Sequence, residues 1–108
     1  MGAKNPEAIK PFVILVKKNF EPCKVLLFGS HARGTANKES DYDIILISPR
    51  FKNIEFSKRA ALAYRLKKSV HAAMDIICLT PHEFDERRKR PTVIREAAKE
   101  GLYITASA

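Results

Sequence analysis

Hydrophobic positions recur along this chain with two different periods, one typical of helices and one typical of strands. Between residues 5 and 20, apolar side chains occupy every third or fourth position, which predicts a helix. Pro11 cannot lie deep inside a helix, so we expect the regular part to begin near it. Apolar residues are spaced in the same way over residues 54–71 and predict a second, longer helix.

Three short apolar runs predict β-strands. They cover residues 24–28, 42–48 and 74–79. The first two runs end at Gly29 and Pro49, which are residues that interrupt regular structure. The segment between these two runs is polar and rich in turn-forming residues, so we expect a loop there.

The C-terminal part of the chain carries local signals for two more helices. Thr80 and Glu83 have the spacing of a capping box, so a helix is expected to begin there. A last helix is expected at about residues 92–100, and an edge strand within residues 102–105. Two ion pairs are expected on the first of these helices: Asp85 with Lys89, and Glu86 with Arg90. Together these elements predict one small α+β domain over residues 1–108, with a mixed β-sheet packed against helices.

Length and composition limit the class of protein. A chain of 108 residues, 45% of them apolar, suits one hydrophobic core and is too apolar for a disordered tail. No apolar run approaches the roughly 20 residues that span a bilayer, and no signal-peptide pattern is present. We therefore expect a cytoplasmic protein that does not enter the membrane. Cys23 and Cys78 match no metal-ligand spacing and are expected to be free, buried and unreactive.

The net charge of +8 is unevenly distributed. Residues 50–72 contain a single acidic side chain, Glu55, among many basic ones. The basic residues are Arg50, Lys52, Lys58, Arg59, Arg65, Lys67 and Lys68. Such a surface attracts nucleic acid, nucleotides or an acidic partner protein, but it is equally typical of a solvated helix face. On charge alone, the solvated face is the favoured interpretation.

The segment that carries chemical information follows the first predicted strand. It reads Gly29-Ser30-His31-Ala32-Arg33-Gly34 and, after a polar loop, Ser40-Asp41-Tyr42-Asp43. Backbone N–H groups in a glycine turn after a strand can bind phosphate. Thr35 stands where a P-loop requires lysine, which excludes a Walker-type site. Residues two apart in a strand share a face, so Asp41 and Asp43 are expected to project together.

A third carboxylate, Asp75, interrupts the apolar run of the third predicted strand. A carboxylate among apolar residues needs a partner or a cation. If this strand pairs with the strand of Asp43, the two residues lie about 4.8 Å apart on one face. Asp41, Asp43 and Asp75 then form a hard-oxygen site suited to Mg²⁺ or Mn²⁺, and two ions roughly 4 Å apart would serve phosphoryl displacement. The alternative, a solubilising edge residue, explains Asp43 poorly because four apolar residues follow it.

The combination of these motifs resembles the minimal nucleotidyltransferases of the DNA polymerase beta superfamily. The resemblance is strong over residues 25–79 and implies the DNA polymerase beta-like nucleotidyltransferase fold. It implies that Gly29 and Ser30 bind the triphosphate of ATP, and that Arg33 contacts phosphate or braces the carboxylates. It assigns no role to His31.

The same resemblance implies a metal-dependent mechanism with two Mg²⁺ ions, or Mn²⁺ in their place. Asp41 and Asp43 would bind both ions. Asp75 would complete the second metal site and help to activate the acceptor hydroxyl. All three residues are thereby candidates for catalytic and metal-binding roles.

The expected partner also follows from the resemblance. Minimal members of this superfamily are typically antitoxins of a HEPN-domain toxin, which implies transfer of AMP from ATP to a tyrosine hydroxyl of that toxin. Only 29 residues follow Leu79, so the acceptor surface is expected to come from the partner in a hetero-oligomer. Self-association, the nucleotide base and the number of AMP groups are left open.

Two other functions stay open at this point. One is an antitoxin that neutralises its partner by binding alone. The other is a basic nucleic-acid-binding module, which is supported only by the charge of residues 50–68. Clustered acids beside a phosphate turn favour catalysis over both, and nucleic acid is not expected as the direct substrate.

Overall fold

The structure is a computed structural model that describes residues 7–67 and 70–105. Its strands are β1 (Lys24–Phe28), β2 (Tyr42–Ile47), β3 (Met74–Leu79) and β4 (Leu102–Tyr103). Its α-helices are α1 (Lys10–Asn19), α2 (Ser30–Arg33), α3 (Phe56–Tyr64), α4 (Pro81–Arg87) and α5 (Val93–Glu100). Single 3-10 turns lie at Glu7–Ile9, Pro49–Phe51 and Arg65–Lys67. The predicted α+β class is confirmed.

The strands form one mixed sheet in the order β3-β2-β1-β4. β1 runs antiparallel to both β2 and β4, whereas β2 and β3 run parallel. The parallel pair requires a crossover between its strands, and α3 lies on that crossover. The three strands predicted from apolar runs are present, and the predicted edge strand is shortened to the two residues of β4.

Alternation along the strands divides the apolar side chains between the two faces of the sheet. On one face, Val25, Ile44 and Ile76 pack with buried residues of α1 and with Phe51. On the other face, Leu26 and Ile45 belong to a second cluster. Phe84 of α4 and Ile94 and Ala97 of α5 complete that second cluster. Asp43 and Asp75 share the strand parity of Ile45 and Ile77, so they lie on the second face, beyond the apolar cluster.

The predicted helix over residues 54–71 is too long. α3 ends at Tyr64, the chain tightens into a 3-10 turn, and Lys68 lies outside the described residues. Val70 is already buried against the sheet, four residues before β3 begins at Met74, so the chain leaves the helix to reach the sheet. The basic stretch is likewise not a uniform solvated face, because Arg59 is only 4% exposed.

The capping box at the start of α4 is confirmed. The Thr80 hydroxyl accepts a hydrogen bond from the backbone N–H of Glu83, whose carboxylate accepts one from the N–H of Thr80. The predicted ion pair of Asp85 with Lys89 is present at 3.6 Å. The predicted pair of Glu86 with Arg90 is wrong: α4 ends at Arg87, so Arg90 no longer lies one turn from Glu86, which contacts Lys89 instead at 3.5 Å.

Both cysteines are free thiols, as predicted. Burial raises the pKa of Cys78 to about 12 and that of Cys23 to about 11, although Cys23 is only half-buried. Neither thiol therefore carries appreciable thiolate at neutral pH. Within the described part of the chain, no helix is long and apolar enough to cross a membrane.

Candidate active site

Two of the candidate carboxylates lie side by side at the start of the parallel strand pair. Asp43 and Asp75 are register partners of β2 and β3, and the pairing on which the sequence prediction depended is therefore present. Asp41 lies one residue before β2. Asp43 is half-buried, whereas Asp41 and Asp75 are exposed.

The glycine turn after β1 lies against the same carboxylates. Phe28, the last residue of β1, is the register partner of Asp43, and Gly29 follows it. A Cβ atom on Gly29 would overlap the carboxylate of Asp43, and the backbone there has φ +75° and ψ −155°, a conformation essentially restricted to glycine. Residue 29 therefore has to be glycine for the turn and Asp43 to approach this closely.

The sequence did not reveal the short helix α2, which begins directly after Gly29. The backbone N–H groups of Ala32 and Arg33 bond to the carbonyl oxygen of Gly29, and Gly34 ends the helix with a left-handed φ of +80°. The first N–H groups of any helical turn lack acceptors within the helix. Ser30 therefore begins a helical turn beside Asp43, rather than lying in the irregular loop predicted for this segment.

The carboxylates affect one another electrostatically. Partial burial raises the pKa of Asp43 above its ordinary value, and the negative charges of Asp75 and Asp41 raise it further. His31 and Arg33 lie close enough to oppose this shift. Asp43 is thus the carboxylate whose ionisation is disfavoured by its neighbours, a pattern that is frequent at functional sites.

The donor set has the chemistry of a divalent-cation site, although its members are not gathered around one point. Carboxylate oxygens are hard ligands of the kind that Mg²⁺ and Mn²⁺ prefer. Among residues 7–67 and 70–105, however, no group of three His, Cys, Asp or Glu side chains converges closely enough to hold a metal ion. The side chains of Asp41 and Asp75 are exposed, and the charges of both act on Asp43. The residues therefore fit such an ion by donor type and strand register.

Arg33 and His31 make contacts that the sequence did not predict. The guanidinium of Arg33 forms an ion pair with Glu100, at the end of α5, with an N–O distance of 3.0 Å. The His31 ring stacks on Tyr42, with 3.6 Å between ring centroids, and its Nε2 donates a hydrogen bond to the carbonyl oxygen of Ser40. These contacts attach α2 to the loop that carries Asp41. No spacing in the sequence indicates a contact between positions 31 and 42.

Comparison with known proteins identifies the family. The family described as "nucleotidyltransferase domain" has a model that matches residues 12–104, which include the glycine turn and all three carboxylates. The chain belongs to the nucleotidyltransferase domain family. The comparison with curated proteins gives no match.

Solved structures agree with this family. A candidate nucleotidyltransferase from Sulfolobus solfataricus is 28% identical, with a TM-score of 0.60 over 74% of this chain and 70% of that one. A toxin–antitoxin structure with AMP-PNP has a TM-score of 0.61 at 19% identity, covering 90% of this chain and 73% of that one. At that identity the second likeness shows the fold alone. The predicted nucleotidyltransferase fold is confirmed.

Proposed function

We propose that this nucleotidyltransferase transfers AMP from ATP to a hydroxyl group of a partner protein, and that Asp41, Asp43 and Asp75 are its catalytic carboxylates. The partner we propose is a HEPN-domain toxin with a tyrosine as the acceptor, so that the chain acts as an antitoxin. The single domain over residues 1–108 would supply the nucleotide site, and the partner would supply the acceptor surface.

One observation carries the catalytic part of this proposal. Asp43 and Asp75 are in register on adjacent strands, and the turn at Gly29 approaches Asp43 so closely that no side chain fits between them. A phosphate group held by the N–H groups that follow Gly29 would therefore lie beside the carboxylates. A site that served only to bind a protein surface would not need two acids in register beside such a turn.

The proposed reaction is an in-line displacement at the α-phosphorus of ATP. The acceptor oxygen forms a new P–O bond, the bond to the bridging α–β oxygen breaks, and pyrophosphate leaves. Asp75, the exposed member of the pair, is our candidate to receive the hydroxyl proton. Asp41, Asp43 and Asp75 would hold divalent cations, which supply charge neutralisation along the triphosphate when bound. Gly29 and Ser30 would hold phosphate through their turn.

Arg33 has a proposed role in phosphate binding that competes with its present contact. Its guanidinium is paired with Glu100, and both side chains are about half exposed. An exposed pair of this kind contributes little free energy, so a triphosphate could replace Glu100 as the partner of Arg33.

The partner class rests on a different observation. The toxin–antitoxin structure with AMP-PNP covers 90% of this chain, whereas the structure from Sulfolobus solfataricus covers 74% of it. That structure is of a toxin–antitoxin assembly with AMP-PNP, an ATP analogue, and we propose an equivalent assembly for this chain. The basic side chains of residues 50–67 would suit an acidic surface on such a partner.

A second candidate function is neutralisation of the partner by binding alone. Two observations favour it: among the described residues no three His, Cys, Asp or Glu side chains converge on one point, and Arg33 is paired with Glu100. A nucleic-acid-binding function has less support, because Arg59, one of its basic residues, is buried and paired with Glu83.

One experiment separates these functions. The protein is mixed with Mg²⁺, ATP labelled at the α-phosphate and the protein encoded by the adjacent gene. Covalent label on that protein, absent with Asp43→Asn, supports nucleotidyl transfer, and mass spectrometry then identifies the acceptor residue. A stable complex without label supports neutralisation by binding. With neither label nor complex, the antitoxin proposal is wrong.

A further inference from the structure

The outer edge of β3 is closed by side chains rather than by another strand. β3 pairs with β2 on one side only, and it lies at the end of the sheet formed by the described residues. The N–H and C=O groups of β3 that face β2 belong to odd-numbered residues. This follows from two bonds at the ends of the ladder, in which Tyr42 donates to the carbonyl of Ala73 and Ser48 donates to the carbonyl of Leu79. The backbone groups of Met74, Ile76 and Cys78 therefore point outward, where unpaired groups invite association with other strands.

Two side chains of α3 bond to these outward groups. Arg59 donates from Nη1 to the carbonyl oxygen of Cys78 at 3.2 Å. The Tyr64 hydroxyl donates to the carbonyl oxygen of Met74 at 2.9 Å and accepts from the N–H of Ile76 at 3.3 Å. One hydroxyl thus satisfies a donor and an acceptor of the edge strand, and the residue between them is Asp75.

Asp75 is consequently fixed from both sides of its strand. On the inner side it is the register partner of Asp43, within the ladder that joins β2 and β3. On the outer side, the bonds of Tyr64 to Met74 and Ile76 hold the two peptide units that adjoin it. We propose that Tyr64 is a positioning residue, whose hydroxyl holds the backbone of Asp75 in register with Asp43, so that the Asp75 carboxylate is placed for divalent-cation binding and for activation of the acceptor. This proposal rests on the proposed nucleotidyl transfer.

The exposure of Tyr64 makes it possible to distinguish this positioning role from a purely structural one. The residue is 40% exposed, so loss of its hydroxyl leaves no cavity in the core. The other end of the same edge is held by Arg59, which is buried and makes additional bonds to Ile54 and Glu83. Removing the hydroxyl of Tyr64 should therefore loosen the backbone around Asp75 and cost the domain no more stability than one net hydrogen bond supplies.

The test compares Tyr64→Phe with the matched control Tyr103→Phe, which alters an exposed tyrosine at the opposite edge of the sheet. For Tyr64→Phe we expect Mn²⁺ affinity, measured by titration, to fall about threefold to tenfold, the range that one net hydrogen bond supplies. We expect kcat for transfer to fall by a similar factor with KM for ATP unchanged. The Ile76 amide should exchange faster, and the thermal midpoint should fall by no more than about 8 °C, the shift that corresponds to the loss of one net hydrogen bond in a domain of this size. The control should match wild type throughout.

A double-mutant cycle shows whether Tyr64 acts through Asp75. In an Asp75→Asn background, Tyr64→Phe should not weaken Mn²⁺ binding further, whereas a general structural role would produce the same loss in both backgrounds. Unchanged Mn²⁺ affinity in Tyr64→Phe, or a wild-type protein that binds no Mn²⁺, overturns this proposal. Wild-type Mn²⁺ binding that depends on Tyr64, without transfer to any partner, contradicts the proposed function and leaves the positioning role standing.

Discussion

The two ends of the β2–β3 strand pair differ in the charges that they bring together. At the start of the strands, Asp43 and Asp75 bring like charges into register, and the charge of Asp75 adds to the burial that raises the pKa of Asp43. At the far end, Arg59 and Glu83 form an ion pair at 2.6 Å. We call the first of these the repelling end (Asp41, Asp43 and Asp75) and the second the paired end (Arg59 and Glu83).

The far end satisfies its charges completely. Arg59 also donates to the carbonyl oxygens of Ile54 and Cys78, and Glu83 also accepts from the N–H of Thr80 in the capping box. Among the described residues, no buried side-chain nitrogen or oxygen lacks a hydrogen-bond partner. The comparison indicates that the paired end stabilises the domain, whereas the like charges around Asp43 oppose its stability at neutral pH.

The largest effect expected from this comparison is on activity at the repelling end. Asp41→Asn and Asp43→Asn should each lower nucleotidyl transfer by at least about 100-fold. Replacing a residue that only orients a metal ligand already lowers metal affinity or activity by about 10- to 100-fold, and these two residues are proposed as the ligands themselves. Circular dichroism should show an unchanged fold, since neither substitution removes core volume. The assay is transfer of α-phosphate label to the partner. Retained transfer by both variants would contradict the carboxylate mechanism.

The largest effect on stability is expected at the paired end. Arg59→Met should lower the free energy of unfolding by about 3 kcal/mol, because two carbonyl oxygens and the partly exposed carboxylate of Glu83 lose their donor, at about 1 kcal/mol each. Urea denaturation measures this, with Lys58→Met as the control, since Lys58 is the exposed neighbour on α3. If both variants were equally stable, the ion pair of Arg59 with Glu83 would not stabilise this end of the sheet.

These two ends also differ in how far the sequence predicted them. Asp75 within an apolar run indicated a site, and the register with Asp43 followed from the pairing of two recognisable strands. Arg59 looked like one basic residue among seven, because its burial depends on tertiary contacts with Ile54, Cys78 and Glu83 from two other parts of the chain. Local patterns predict strands and caps, whereas long-range pairing of a charged side chain leaves no periodic signal.

The glycine turn sharpens the comparison at the repelling end. Gly29→Val should destabilise the fold by about 1–3 kcal/mol, because a side chain at this backbone conformation is strained and overlaps Asp43. It should also weaken ATP binding, measured by calorimetry on the folded fraction. Gly34→Ala is the control, because it carries a positive φ at the other end of α2. Equal ATP affinity in Gly29→Val would mean that the turn does not hold phosphate.

The pH dependence of the paired end has a defined sign. The hydrogen bond from Arg59 holds the pKa of Glu83 below its usual value. Partial burial raises that pKa, but by less, and the hydrogen bond from the N–H of Thr80 lowers it further. A lowered folded pKa gives stability that is present above the unfolded value, near 4.3, and is lost as pH falls through the folded value. Glu83→Gln should therefore be less stable than wild type at pH 7, by about 1.5 kcal/mol. In urea denaturation that gap should narrow as pH falls below about 4; a gap that widened would contradict this assignment.

The smallest expected effect has the opposite sign and is found at the repelling end. Burial and the charges of Asp75 and Asp41 raise the pKa of Asp43 in the folded protein. Stability linked to a raised pKa is present below the unfolded value and is lost as pH rises through the folded value. In EDTA at pH 7, Asp43→Asn should therefore be at least as stable as wild type, with a gain of about 1 kcal/mol or less.

Lowering the pH should also reduce the difference in stability between Asp43→Asn and wild type. Here the variant is the more stable protein at pH 7, and wild type approaches it at low pH because the Asp43 carboxyl then takes up a proton in the folded state. Two variants at opposite ends of one strand pair would thus approach wild type from below and from above. Mg²⁺ with ATP should raise the thermal midpoint of wild type, since a ligand that binds only the folded state stabilises it, and should raise that of Asp43→Asn much less. If Asp43→Asn were less stable than wild type in EDTA at pH 7 and responded equally to Mg²⁺ with ATP, Asp43 would stabilise the fold as Glu83 does, and the contrast between the two ends would not hold.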